Sequence, residues 1–388
     1  MSRRAELALA TLILLIAAFL RLHRLDDLPP GWRDDEIVET SVHAQIVLDG
    51  HLPLYFPQAE GHEPLYHYLS AGLIALAGRS LFTVRLLSVF FGLFGLAALY
   101  RFARRSFGAP VALVATAALG LSFWSLMYSR FKLRHIGEVG LMLLTYYFFL
   151  LPLQHPSRAA VTHRAQRSSA LAAGLMLALC LHTYFAARTV PLILLAFVAY
   201  LALFHPQCFR THWRSFVLTF AVAGLLTLPL AWAIARAPDG EARLGIVGKP
   251  LLDLLHGDFT YALHTTRDTL GMFAFTGDPE YLYNIPNRPV FEPFGAALFL
   301  IGLLVSLWRW KRPHYAFLLI WLLGGLAPAF VSTPAASLSH TLAAQPVMYL
   351  FPAIALTAFS FTAENAEAAE KFSSNFSLSA FSALSAVK

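Results

Sequence analysis

Apolar residues in this chain come in long blocks separated by short polar segments. Ten blocks, near 5–22, 81–100, 110–128, 136–153, 169–185, 188–204, 215–235, 291–309, 314–331 and 344–361, are near the length a membrane-crossing helix needs. Crossing about 30 Å of hydrocarbon takes roughly 17–25 residues at the helical rise. An eleventh block, 65–77, is too short and too rich in Tyr, His and Gly; it is expected as an interfacial or partly inserted helix. The pattern predicts an all-α polytopic membrane protein of about ten spans, with helical segments in its polar loops. Pro191, Pro229 and Pro352 fall inside blocks and predict kinks or helix ends.

Charge orients these spans. Counting 65–77 out, alternate loops carry Arg3 and Arg4; Arg101, Arg104 and Arg105; Arg158, Arg164 and Arg167; Arg210 and Arg214; and Arg309, Lys311 and Arg312. Cytoplasmic loops are enriched in Lys and Arg, so the N-terminus is expected inside, in a bacterial-type inner or plasma membrane. The segments 22–80, 129–135, 236–290 and 332–343, with the turn 182–188, are then expected outside. Counting 65–77 as a crossing would invert every later loop and destroy the pattern. The N-terminal block resembles a signal peptide but lacks a small-x-small cleavage site, and is read as a retained helix.

Composition agrees. Of 388 residues 57% are hydrophobic and only 13% charged, against about 25% charged in soluble domains. The net charge of +7 is accounted for by the basic loops and needs no nucleic-acid partner. Cys180 and Cys208 show no metal-type spacing, which argues against a disulfide or a zinc-cysteine site. No internal repeat is apparent. From 362 to 388 the sequence turns rich in Ala, Ser, Glu and Phe and is expected to be a mobile tail after a membrane domain of residues 1–361.

Candidate chemistry collects on the expected outer face. Asp34, Asp35 and Glu36 follow a PPGW turn; they can cap the next helix, remove a proton from a hydroxyl, or hold a cation through oxygen. His62 and Glu63 precede Pro64, either as a structural turn or positioning an acceptor, a phosphate or a metal. Asp35, Glu36 and Glu63 together offer a site for a divalent cation such as Mg2+ or Mn2+. The segment YSRFKLRH sets Arg130, Lys132, Arg134 and His135 on the face that disfavours basic residues. Arg130 and Arg134, spaced i,i+4, could share a helix face toward a phosphate, with Arg188 joining them; lipid headgroups or the acidic loop are the simpler partners. Tyr281, Tyr283 and Asn284 in GDPEYLYNIPNRP, and His340 near the last block, could contact a sugar or acceptor, or form a lid.

Six stretches in this order carry a family resemblance: PPGWRDDEIVETSVHAQIVLDG, HEPLYHYL, RLLSVFFGLFGLAALYRFARRSFG, SRFKLRHI, GDPEYLYNIPNRPVFEPFGAALFLIGL and SHTLAAQPVMYLFPAIAL. The chain resembles the GT-C type polytopic glycosyltransferases. Within them it is most similar to the dolichyl-phosphate-mannose protein mannosyltransferase and aminoarabinose transferase superfamily, glycosyltransferase family 39 in the broad sense. The resemblance runs to about residue 360; the family often carries a longer C-terminal part. It implies a polyprenyl-phosphate-linked sugar as donor, a protein, lipid or glycan as acceptor, and transfer at the outer face amid membrane lipids. It also implies that Asp35 and Glu36 stand on the family's acidic pair, with Asp35 as the catalytic aspartate and Asp34 an extra neighbour, and that HEP is a second motif approaching the site. Family architectures include metal-dependent and metal-independent transferases, so both stay open. Two other classes fit the bare pattern: a transporter or flippase, which would need polar groups deep in its spans, and a non-catalytic scaffold.

Overall fold

A computed structural model describes residues 1–154, 163–237, 245, 248–281 and 283–358. The expected tail at 362–388, and Arg158 in the expected basic loop, lie outside the described residues. Sixteen helices are labelled here: α1 (Arg3–Leu22), α2 (Asp34–Val38), α3 (Gln45–Leu48), α4 (Leu65–Ala77), α5 (Leu81–Phe107), α6 (Ala109–Leu121), α7 (Phe123–Arg130) and α8 (Ile136–Leu150) make up the first half. They are followed by α9 (His163–Leu181), α10 (Thr189–Phe204), α11 (Pro206–Arg236), α12 (Lys249–Leu255), α13 (Thr260–Gly271), α14 (Pro293–Trp308), α15 (Pro313–Phe330) and α16 (Leu342–Ala358). The only pairing of strand type among the described residues is an isolated antiparallel bridge between Phe56 and His62.

Six helices are long and apolar enough to cross a membrane, seven if α6 and α7, bent by 60°, count as one broken span. The protein is a multi-pass membrane protein, but the expected count of about ten is not reached on length and composition. The other three blocks do form helices. Of these, α14 and α16 have fewer than eighteen residues, and α9 opens with the polar sequence HRAQRSS. The block 65–77 forms the short α4, as expected.

The core is built around α8, the most buried of the spans, which packs against α5 and α9; α9 in turn packs on α11, and α10 on α15. Without a hydrophobic drive between helices in lipid, close backbone approach does the work. Thus a Cβ at Gly302 of α14 would lie 1.9 Å from the Phe351 carbonyl oxygen, and one at Gly174 of α9 would lie 2.7 Å from the Thr219 carbonyl oxygen. Leu225, Leu228 and Trp232 on α11, and Leu304 and Trp308 on α14, stay exposed as a lipid-facing surface does.

Helix ends are tied by side chains. Ser80 accepts from Thr83 N at 3.1 Å to start α5, and Ser122, extended at the break, accepts from Ser125 N at 3.2 Å to start α7. Glu6 near the start of α1 accepts from Tyr100 Oη at 2.5 Å and from Arg104, which fixes α1 against the far end of α5. These ties bring the loop after α1 and the loop after α7 to the same end of the bundle.

Candidate active site

The acidic run enters α2 with its members facing opposite ways. Asp34 and Asp35 are exposed; Glu36 is fully buried. Arg85 of α5 grips Glu36 with two parallel bonds, Nε to Oε1 at 2.8 Å and Nη2 to Oε2 at 2.9 Å. The backbone N–H groups of Arg33 and Lys132 donate to the same carboxylate at 3.1 and 3.0 Å. Arg85 also donates to the carbonyls of Leu25, Pro29 and Gly31. Both oxygens of Glu36 are therefore engaged, and the group locks the PPGW turn instead of serving as a free base.

Asp35 is left at the mouth of a cavity of about 190 Å³ lined by Arg33, Asp34, Glu36, Phe131, Leu133 and Tyr283. The Tyr283 hydroxyl donates to Asp35 Oδ2 at 3.4 Å. Burial pushes the Tyr283 phenol well above its ordinary range, and Asp35 adds to that. The Arg33 guanidinium lies between the rings of Phe131 and Tyr281, 5.8 and 5.4 Å from their centres. Tyr281 itself is exposed at the rim.

Below Asp35 the helix changes pitch. Residues 39–44 form a π-helical turn, a feature frequent at functional sites, which turns Glu39, Thr40 and His43 all inward. Glu39 meets Arg134 Nη1 at 3.3 Å, and Lys132 Nζ donates to Thr40 at 2.9 Å. Burial raises the Glu39 carboxyl to about 7 against the pull of Arg134 and Lys132, and burial lowers the Lys132 ammonium to about 7. The Nε and Nη2 of Arg134 and the Oε2 of Glu39 are buried with no hydrogen-bond partner.

The basic segment departs from expectation. The α7 helix ends at Arg130, and Phe131 is extended at φ −92°, ψ 151°, so Arg130 and Arg134 do not share a helix face. Arg130 turns back instead, and its two terminal nitrogens donate to the carbonyls of Leu20, Arg21, His23, Arg24 and Leu28. It caps the C-terminal end of α1, where carbonyls lack helical partners and carry partial negative charge. The guanidinium for which a phosphate partner was expected is thus engaged by backbone carbonyls. Arg134 points inward, its guanidinium 5.4 Å from the Tyr184 ring centre, with the His135 ring 4.1 Å from the same ring. Arg188, about one-third exposed, faces Glu63 at 3.7 Å. Glu63 is held in turn by the chain at Leu65, whose N–H donates to the His182 carbonyl at 3.0 Å.

Two other candidates bond within the protein. The Asn284 amide nitrogen donates to the carbonyls of Asp278 and Arg288 at 3.0 and 2.7 Å, and so ties the GDPEY loop to itself. Asp278 accepts from Leu338 N at 2.8 Å, which fastens that loop to the segment before α16. His340 makes a 2.9 Å bond with Ser332. The cation site expected from Asp35, Glu36 and Glu63 is not assembled: Glu36 is saturated by Arg85, Glu63 faces Arg188, and Asp35 points to solvent. Among the described residues the one group of three close ligand-type side chains is His43, His62 and His67. Reasoning from sequence missed His43, Glu39, His67 and Arg85. Asp35, Glu39 and His43 are spaced i, i+4 and i+8, but Asp35 is exposed and the other two are turned inward by the π-helical turn, so the spacing alone does not reveal the cluster.

Residues 61–232 match the family described as dolichyl-phosphate-mannose-protein mannosyltransferase, a match that starts after the acidic run. Among curated protein sequences none matches the chain. Of solved structures, the oligosaccharyltransferase AglB of Archaeoglobus fulgidus in complex with an inhibitory peptide and a dolichol-phosphate is similar at a TM-score of 0.63 and 18% identity, over 94% of this chain and 51% of that one. ArnT of Cupriavidus metallidurans bound to undecaprenyl phosphate is similar at 0.59 and 17% identity, over 92% of this chain and 61% of that one. The chain thus spans about half the length of the oligosaccharyltransferase it matches. The architecture is that of the GT-C membrane glycosyltransferases, as the six sequence stretches led us to expect.

Proposed function

We propose that the protein transfers a sugar from a polyprenyl-phosphate-linked donor to an acceptor at the outer membrane face, with Asp35 as the base. The observation that carries this reading is the separation of the two acids: Glu36 is spent on Arg85, while Asp35 stands open at the cavity mouth. In a single displacement the acceptor hydroxyl attacks the anomeric carbon and gives its proton to Asp35. The bond from that carbon to the phosphate oxygen breaks, and polyprenyl phosphate leaves with inversion. Arg188 and the spare donors of Arg134 stabilise the charge that develops on the leaving phosphate; Arg130 takes no part. Tyr281 offers its exposed ring to a sugar or acceptor. His62 and Glu63 set the position of Arg188. No step runs through Mg2+ or Mn2+, because the carboxylates that would hold such an ion are engaged elsewhere or apart.

Support also comes from the similar structures, the oligosaccharyltransferase in complex with an inhibitory peptide and a dolichol-phosphate and ArnT bound to undecaprenyl phosphate. The segments 22–80 and 236–290 serve as outer loops on a membrane domain of residues 1–361, with the N-terminus inside. Incubation of the purified protein with labelled polyprenyl phosphate sugars and membrane extracts, followed by mass spectrometry, is expected to give a glycosylated product. Asp35→Asn should lower its rate by about a hundredfold or more, the range of a general base. Unchanged transfer by that variant would remove Asp35 from its role. Movement of label across the bilayer without a new bond would instead favour a flippase.

A further inference from the structure

Three histidines from three segments meet beneath the acidic loop. His43 comes from the π-helical turn, His62 from the bridge to Phe56, and His67 from the first turn of α4; all are buried, at 0, 4 and 0% exposure. Their ring centres lie 4.2, 4.5 and 5.1 Å apart, and one nitrogen of each falls within 4.8 Å of the other two. We propose that these three imidazoles form a binding site for a divalent transition-metal ion of the Zn2+ class, which clasps the first polar loop to the helix after it.

Buried polar groups need partners, and an imidazole without them costs more than it contributes. Only one ring-to-ring bond is present, His62 Nδ1 to His67 Nε2 at 3.0 Å. His67 Nδ1 has no partner, and neither ring nitrogen of His43 makes a bond of normal geometry, the Gln58 backbone being a marginal neighbour. A polar knot built only to be satisfied would not leave His43 in this state. Zn2+ takes three imidazole nitrogens at about 2.0–2.1 Å with a fourth position left to solvent, which sets the nitrogens about 3.3 Å apart. Rotation of the rings and a contraction of at most about 1.5 Å reach that geometry from the present 4.8 Å limit.

The donor set selects the ion. Neutral imidazoles suit Zn2+, Co2+, Ni2+ or Cu2+, whereas Mg2+ and Mn2+ prefer carboxylate and water. Each ring binds as a neutral tautomer: the proton shared between His62 Nδ1 and His67 Nε2 moves to the outer nitrogen of its ring, so no net proton is released. Of the neighbouring cations Arg134 pairs with Glu39 and Lys132 donates to Thr40; both disfavour positive charge at His43 and His67, a cost the three nitrogen ligands must outweigh. Binding would fix His62, and with it the adjacent Glu63 that faces Arg188. Metal binding is read directly, so its test does not depend on product formation.

The test uses the full chain in detergent, stripped with a chelator and titrated with Co2+, whose visible absorption reports a four-coordinate site, then with Zn2+ as competitor. One Co2+ per chain, displaced by Zn2+, is expected. His43→Ala and His67→Ala should each weaken binding about a hundredfold or more, beyond the ten- to hundredfold that an outer partner commands. His51→Ala, an exposed histidine of the same loop, should bind as wild type. His43→Gln and His67→Gln keep a polar side chain and guard against misfolding; each should retain the chain's chelated melting temperature and lose the rise that Zn2+ gives. Absence of saturable Co2+ binding in wild type, or binding retained in the His43→Gln/His67→Gln double variant, would overturn the proposal.

Discussion

A single charged side chain in this protein gets its role from what it faces, not from its place in a motif. Asp35 and Glu36 are neighbours in sequence, yet one is solvent-facing and the other fully buried in a two-pronged arginine grip. Glu39 and Lys132 are the residues where pH should act. The Glu39 carboxyl stands near 7 against an ordinary 4.5, so the folded state holds its proton more tightly than the unfolded chain does. Its contribution is present below about 4.5 and lost as pH rises through 7. Lys132 stands near 7 against 10.5, so it penalises the fold below 7, and that penalty is relieved as pH rises toward 10.5. The melting temperature in detergent should therefore dip near pH 7. Glu39→Gln should abolish the acid-side fall and Lys132→Met the alkaline-side rise; a flat profile in wild type would contradict the burial that drives both.

Elements show where a sequence can be read and where it stops being legible. The apolar blocks found the spans because length and hydropathy are properties of a segment alone. The same reasoning found α4 as a helix shorter than a span. The break after Arg130 was not legible: nothing local in SRFKLRH reveals that the helix stops where it can reach back to the end of α1. The tri-histidine cluster was hidden for a similar reason, since His43 and His67 lie far apart in sequence and a π-helical turn is needed to bring His43 inward. The division of labour between two arginines follows from these elements. Arg130→Gln should take this donor from five carbonyls at and after the end of α1, lower the melting temperature and admit protease near residues 23–28. It should leave the donor KM of the surviving enzyme unchanged. Arg188→Gln should instead lower kcat about tenfold, the size of one charge-assisted bond to the charge developing on the leaving phosphate.

At the scale of the molecule, the chemistry gathers at one end of a helical bundle and the plain basic loops at the other. The charge pattern predicts which end faces out, and cysteine labelling tests it. In a Cys208→Ser background, with Cys180 buried, His51→Cys should react with an impermeant maleimide in intact cells, and Arg312→Cys only after permeabilisation. The reverse pattern would put Asp35 in the cytoplasm and end the outer-face reading. How much of this was foreseeable divides sharply: the helical membrane fold followed from ordered stretches, while the partners of each charge waited on three-dimensional contacts.

The two arginine clamps carry a consequence for synthesis. The turn after α1 is held by Arg85 and Arg130, which leave the ribosome only when the next several helices have been made. A nascent chain that ends before Arg85 has no means to set the Asp35 loop, and one that ends before Arg130 leaves α1 uncapped. The acidic edge is thus assembled late, by residues translated well after it, and ribosome-stalled chains should pass from protease-sensitive to resistant in two steps, one at each arginine.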